Sequence, residues 1–158
     1  MTRRLQGGTT TVEFAIVGTV LLVVMFSVLE FSRALFVINA LAEATRRGAR
    51  VAAVCPIGDP KPAQVAVFAN GGTTSPIVPG LTTANVQIQY LDIAGAVVAS
   101  PNSTAGFNSI RYVRVNIVGF TQILLIPLHL TAVPLTGFST TLPRESLGVY
   151  PSVGSTAC

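Results

Sequence analysis

Six carboxylates, one histidine and two cysteines are the residues of this 158-residue chain best suited to acid–base, metal or thiol chemistry. They are dispersed. Glu13, Glu30 and Glu43 lie in the first third, Asp59, Asp92 and Glu145 are scattered beyond, and His129 sits in Pro127-Leu-His-Leu130. A metal site needs clustered ligands, and a hydrolytic triad needs a nucleophile beside a base and its orienting partner. Neither pattern is present, nor is a phosphate loop or a Gly-rich dinucleotide turn. His129 reads as a hydrogen-bonded structural residue. The expectation is a protein that is not an enzyme and carries no cofactor or metal. Nucleic acid is not an expected partner either: ten cations, one of them Lys, do not make the dense basic face that phosphate backbones require. One spacing remains, Gly8 five residues ahead of Glu13, directly before a long apolar run.

The elements that must position these residues follow from where the apolar excess lies. Charged residues make up 10% of the chain, against about 25% in an ordinary globular domain, and the mean hydropathy is +0.64. Phe14–Leu29 is 16 residues without a charge, bounded by Glu13 and Glu30. A spanning helix takes about 20 residues, so the run spans once Val12 and Phe31 are included. Residues 9–31 are therefore read as a transmembrane helix. Arg3 and Arg4 ahead of it place the N-terminus in the cytoplasm and the remainder outside. A cleavable secretion signal fits poorly, because Glu13 opens the apolar stretch and no A-x-A site closes it.

The helical pattern continues past the apolar run. Ala34, Ile38, Leu41, Thr45, Ala49 and Ala52 recur at spacings of 4 and 3 and draw one mostly apolar stripe. Asn39, Glu43, Arg46 and Arg50 fall on another face, which reads as solvated. Glu30 with Arg33, and Glu43 with Arg46 and Arg47, offer local ion pairs. Gly48 costs about 1 kcal/mol in a helix, too little to break one. One helix is predicted from about Thr11 to Val54, with residues 32–55 as its extension beyond the membrane.

Gly8-Thr-Thr-Thr-Val-Glu13-Phe14, followed by the apolar run and by Leu41-Ala-Glu-Ala-Thr-Arg-Arg-Gly-Ala-Arg-Val-Ala-Ala53, resembles the TadE-like pseudopilins (minor pilins) of the tight-adherence (Tad, Flp-type) pilus. Phe138–Glu145 resembles the family's terminal strand, with Leu142-Pro143-Arg144-Glu145 a loose match to its closing element. The resemblance implies that residues 1–8 are a leader cut off after Gly8 by a membrane prepilin peptidase. Thr9 would then be the new N-terminus and Glu13 the fifth residue of the mature chain. It implies other pilin subunits, the inner-membrane assembly platform and membrane lipid as partners, with roles in pilus assembly, adherence and biofilm formation. Glu13 and Phe14 are the assembly candidates. A carboxylate at the start of a membrane helix is costly, and the α-amine freed at Thr9, about 6 Å away along a helix, can neutralise it within or between subunits.

Residues 56–158 are expected to form a small outer domain, giving an α+β fold in which a long transmembrane-to-periplasmic helix packs on a small antiparallel sheet, as in pilins. Val86–Tyr90 and Val113–Ile117 alternate as half-buried strands. Leu130–Thr141 reads as a third, edge strand interrupted by Pro134. Gln64–Asn70 suggests a short helix, Asn102–Gly106 a loop, and Ile123–Leu128 a short helix or a patch for a partner. Cys55 and Cys158 suit a disulfide in an oxidising periplasm, preferred to intermolecular pairing or two free thiols. The alternative to a processed pseudopilin is an uncleaved, membrane-anchored binding or assembly module of the cell envelope.

Overall fold

The computed structural model describes residues 7–124, 132–150, 154–155 and 158. Its first element, α1, is a single 48-residue helix, Gly7–Val54, about 72 Å long at 1.5 Å per residue. It begins four residues ahead of the expected Thr11. Once a helix exists, each further residue adds a hydrogen bond, and this carries the ladder through Gly7 and Gly8 despite their poor propensity. From Gly8 to Leu29 every residue is exposed except the half-buried Gly18. Along that half the hydroxyls of Thr19 and Ser27 donate to the carbonyls of Ala15 and Val23, at 2.8 and 2.7 Å. These two hydroxyls are thus satisfied by the helix itself.

The second half of α1 is the spine of the α+β domain. Its buried face follows Val37, Leu41, Ala44, Gly48 and Ala52, widened by Ala40, Thr45, Ala49 and Ala53. Because that face is broad and centred on this line, Ile38 of the expected stripe falls outside it, and Ala34 is half-buried. Small side chains let the partners approach closely. A Cβ on Gly48 would stand 2.9 Å from Ala66 Cβ and 3.3 Å from Val115 Cγ1.

A three-stranded antiparallel sheet of order β1-β2-β5 packs on this face, formed by β1 (Val86–Leu91), β2 (Tyr112–Ile117) and β5 (Ser139–Pro143). Ile88 pairs with Val115 and Val115 with Thr140. In β2, Val113, Val115 and Ile117 are buried while their neighbours are half-exposed, as their alternation predicts. The expected third strand is instead two. β4 (Ala132–Pro134) pairs with β3 (Thr121–Ile123), and β5 joins the main sheet. Pro134 closes β4, and Gly137 turns the chain with φ +90° before β5 begins. Ile123 closes β3, whereas residues 125–128 of the apolar stretch lie outside the described residues. β6 (Val149–Tyr150) and β7 (Gly154–Ser155) form a separate two-stranded ladder.

Two short helices also differ from expectation. α2 spans Lys61–Ala66, earlier than Gln64–Asn70, because Pro60 and Pro62 fix helical φ at its start rather than ending the element. α3, Thr104–Ser109, replaces the expected loop. Ser103 caps it, its hydroxyl accepting from the Gly106 N–H at 3.1 Å.

The core divides along α1. Val37, Ala40, Leu41 and Ala44 pack with Val67, Val78, Leu81, Ile117 and Phe120. Nearer the helix C-terminus, Ala49 and Ala52 pack with Tyr90, Ile110, Val113, Val115 and Leu147. There the otherwise unsatisfied carbonyls of α1 accept tertiary bonds: Ala53 from Glu145 and Leu147 N–H, and Val54 from Gly148 N–H. Gly148 is required at that contact, with φ +76° and with Pro56 Cγ 2.4 Å from where a Cβ would stand. Cys55 and Cys158 form a disulfide with Cα atoms 5.6 Å apart.

Candidate processing and assembly site

Gly8, Thr9, Glu13 and Phe14 all lie on the first two turns of α1 and all are exposed. Thr9 and Glu13 are four residues apart, one helical turn, so their side chains lie on one face. Phe14 is 79% exposed and opens the apolar surface that runs to Phe31. Among the described residues none of the folded domain covers this surface: an 18-residue window of mean hydropathy 2.5 is wholly unburied. A helix of that length and composition is able to cross a membrane.

The boundary between the two halves of α1 is marked by charge. Glu30 is nearly buried, and its Oε1 lies 3.2 Å from Arg33 NH2. The Arg33 guanidinium also donates to the Ile123 carbonyl, tying the β3 hairpin to the helix. Further along, Arg47 Nε donates to Glu43 Oε1 at 3.0 Å and its guanidinium stands 5.0 Å from the Phe68 ring centre. Arg46 and Arg50 are exposed. Of the pairs available to Glu43, the structure makes the one at i+4.

Two carboxylates of the outer domain, Asp59 and Asp92, accept from backbone. Asp59 accepts from the N–H groups of Lys61 and Cys158, at 2.8 and 3.1 Å. Asp92 accepts from Ala94 and Ala96, both at 2.9 Å, closing the turn after β1. Burial, and secondarily the Asp59 carboxylate, raises the Tyr90 phenol above its usual 10.0. Among the described residues no cluster of His, Cys, Asp or Glu is arranged to hold a metal. His129 lies outside them.

Sequence reasoning reads a loop only as far as Pro76, short of the whole of Ser75–Gly80, and misses the Arg33–Ile123 tie and the cap that 145–148 place on α1. Only the loop left a trace, as Ser-Pro-Ile-Val-Pro-Gly in an otherwise polar stretch.

A long helix, apolar and exposed in its first half and packed on an antiparallel sheet in its second, defines an α+β protein whose first helix is long and apolar enough to cross a membrane. Residues 8–50 match the family model of the TadE-like proteins, so this segment is similar to that family. The match covers nearly all of α1 and stops before the outer domain. No curated protein and no solved structure matches the chain.

Proposed function

We propose that this chain is a minor pilin, or pseudopilin, of a Tad-type pilus. In this reading it is held in the inner membrane by residues 9–31, with its C-terminal domain outside the cytoplasm. Residues 1–8 are the leader, and prepilin peptidase cuts between Gly8 and Thr9. The observation that carries the proposal is the TadE-like segment, which begins at Gly8 and contains both Glu13 and the uncovered apolar helix. A carboxylate one turn from a newly freed α-amine, at the mouth of a membrane helix, has a partner of opposite charge in the same or a neighbouring subunit. Phe14 and the apolar surface behind it pack against the helices of other pilin subunits when the protein leaves lipid for the filament. The assembly platform of the inner membrane mediates that transfer. Pilus assembly, surface adherence and biofilm formation are the processes served.

Glu13→Ala tests the pairing. The variant is expected to remain in the membrane fraction and to be missing from sheared pili. Normal incorporation would remove Glu13 from the mechanism. One observation favours the second reading, an uncleaved anchored module: α1 is helical through Gly7 and Gly8, whereas a protease needs an extended segment. Two adjacent glycines make that terminal turn inexpensive to open, at about 1 kcal/mol each relative to Ala, so the first reading stands.

A further inference from the structure

The end of the outer domain nearest the apolar half of α1 carries a surface that assembly through the helix does not use. β2 runs against the direction of α1: Val113 packs beside Ala49 and Ala52, while Ile117 and the following Phe120 pack beside Val37 to Ala44. The membrane-proximal end is therefore made by the loop Ser75–Gly80 and by the strand ends at Gly119–Ile123. In the loop, Val78 is buried against α1, while Pro76, Ile77 and Pro79 point outward and are exposed. The loop is held rigidly. Ser75 Oγ accepts from the Val78 N–H at 3.1 Å, Ser75 N–H donates to the Leu81 carbonyl at 2.9 Å, and Leu81 N–H returns to the Val78 carbonyl at 3.2 Å. Ile77 is 44% exposed, Ile123 57% and Phe36 52%. With Arg33 they border an open cleft of about 490 Å³.

Two features say what covers this surface. It is continuous with the apolar half of α1, since Phe31, Leu35 and Phe36 lead from that half to the cleft and are all exposed. Apart from Arg33 it is also uncharged. Residues 62–91 and 115–143 contain no Asp, Glu, Lys or Arg, and both the loop Ser75–Gly80 and the strand ends Gly119–Ile123 come from them. The domain's own carboxylates, Asp59, Asp92 and Glu145, sit toward the other end, near Cys158, after β1 and against Ala53. A face meant for water gains nothing from losing every charge, whereas a face pressed into lipid must lose them.

We infer that the proximal end of the domain rests in the membrane interface, with Ile77 and Ile123 seated among the upper acyl chains of the leaflet on the domain's side. Arg33 lies at the level of the lipid phosphates, where its apolar stem and charged head are both accommodated. The inference rests on the reading of α1 as a membrane anchor. It goes beyond that reading by fixing how the domain sits: seated on the bilayer, not held above it on a stalk.

The chain contains no Trp, so a single Trp reports one position. Ile77→Trp, Ile123→Trp and Ile93→Trp replace exposed side chains, the last 74% exposed and at the far end of β1. Each full-length variant is reconstituted into phosphatidylcholine–phosphatidylglycerol vesicles, with and without lipids brominated near the glycerol end of their chains. The inference predicts blue-shifted emission that bromination quenches at positions 77 and 123, and water-like, unquenched emission at 93. Either proximal site suffices if the other variant misfolds. Vesicle flotation separates the two claims. A chain that does not float overturns the anchor and this inference with it. A chain that floats but is water-like at 77 and 123 overturns the inference alone. Blue-shifted emission without quenching means that a second copy of the chain covers the surface, and also overturns it.

Discussion

Tyr90 shows what burial does to one side chain in this domain. Its phenol lies in the distal part of the core with the Asp59 carboxylate near it, and both raise its ionisation above the usual 10.0. The folded state therefore favours the neutral phenol, and the unfolded chain ionises first. The resulting stability is full below pH about 10 and is lost as pH rises through the higher folded value. Alkaline denaturation followed by circular dichroism should accordingly steepen above pH about 10, and Tyr90→Phe should remove that steepening. An unchanged alkaline limb in the variant would show that Tyr90 does not contribute. At this scale the sequence singles out Gly8, Thr9 and Glu13 as candidates, because a carboxylate beside an apolar run stands out in one dimension. Asp59 and Asp92 could not be read the same way. Their roles as acceptors for the N–H groups of Cys158 and Ala96 depend on a tail and a turn that only the folded chain brings to them.

The elements differ in how far local sequence determines them. α1 was legible nearly end to end, since its apolar run and its stripe obey one helical period, and β1 and β2 follow their alternation. The misread elements have local signals that compete. Pro60 and Pro62 serve equally as an exit from one helix and an entrance to the next, and the structure uses them as an entrance. Ser103 reads as loop until the bond from Gly106 makes it a cap. Leu130–Thr141 carried enough β-branched and apolar residues for one strand, yet Gly137 at positive φ divides it. Gly48 is the element-scale feature whose value is most readily measured. Its missing Cβ lets α1 approach Ala66 and Val115, so Gly48→Leu should destabilise the domain by about 1–3 kcal/mol through overpacking, despite the better helix propensity of Leu. Chemical denaturation in detergent measures this. An equal or higher midpoint would show that the neighbours give way freely.

As a whole molecule the chain carries an exposed apolar half and a packed half on one helix. The low charge content belongs partly to the apolar half of α1 and partly to the uncharged proximal end of the domain, which composition alone could not distinguish. At the opposite pole the Cys55–Cys158 bond holds the end of the chain against the end of α1, across a sequence separation of 103. Closing a loop of that size restricts the unfolded chain by about 4–5 kcal/mol in the loop-entropy account. Cys158→Ser should therefore lower the stability of the domain by up to that amount under oxidising conditions and make it indifferent to reductant. A variant as stable as the oxidised parent would show that the rest of the domain does not need the bond.

We have proposed that this helix is a processed pilin anchor, and the N-terminal peptide of the protein isolated from its own cells decides that claim. Cleavage after Gly8 would remove Arg3 and Arg4 with the leader and leave Thr9 first, one turn from Glu13. Mass spectrometry of that peptide is expected to show a chain beginning at Thr9. A chain beginning at Met1 or Thr2 would contradict the claim and leave an uncleaved, membrane-anchored module in its place.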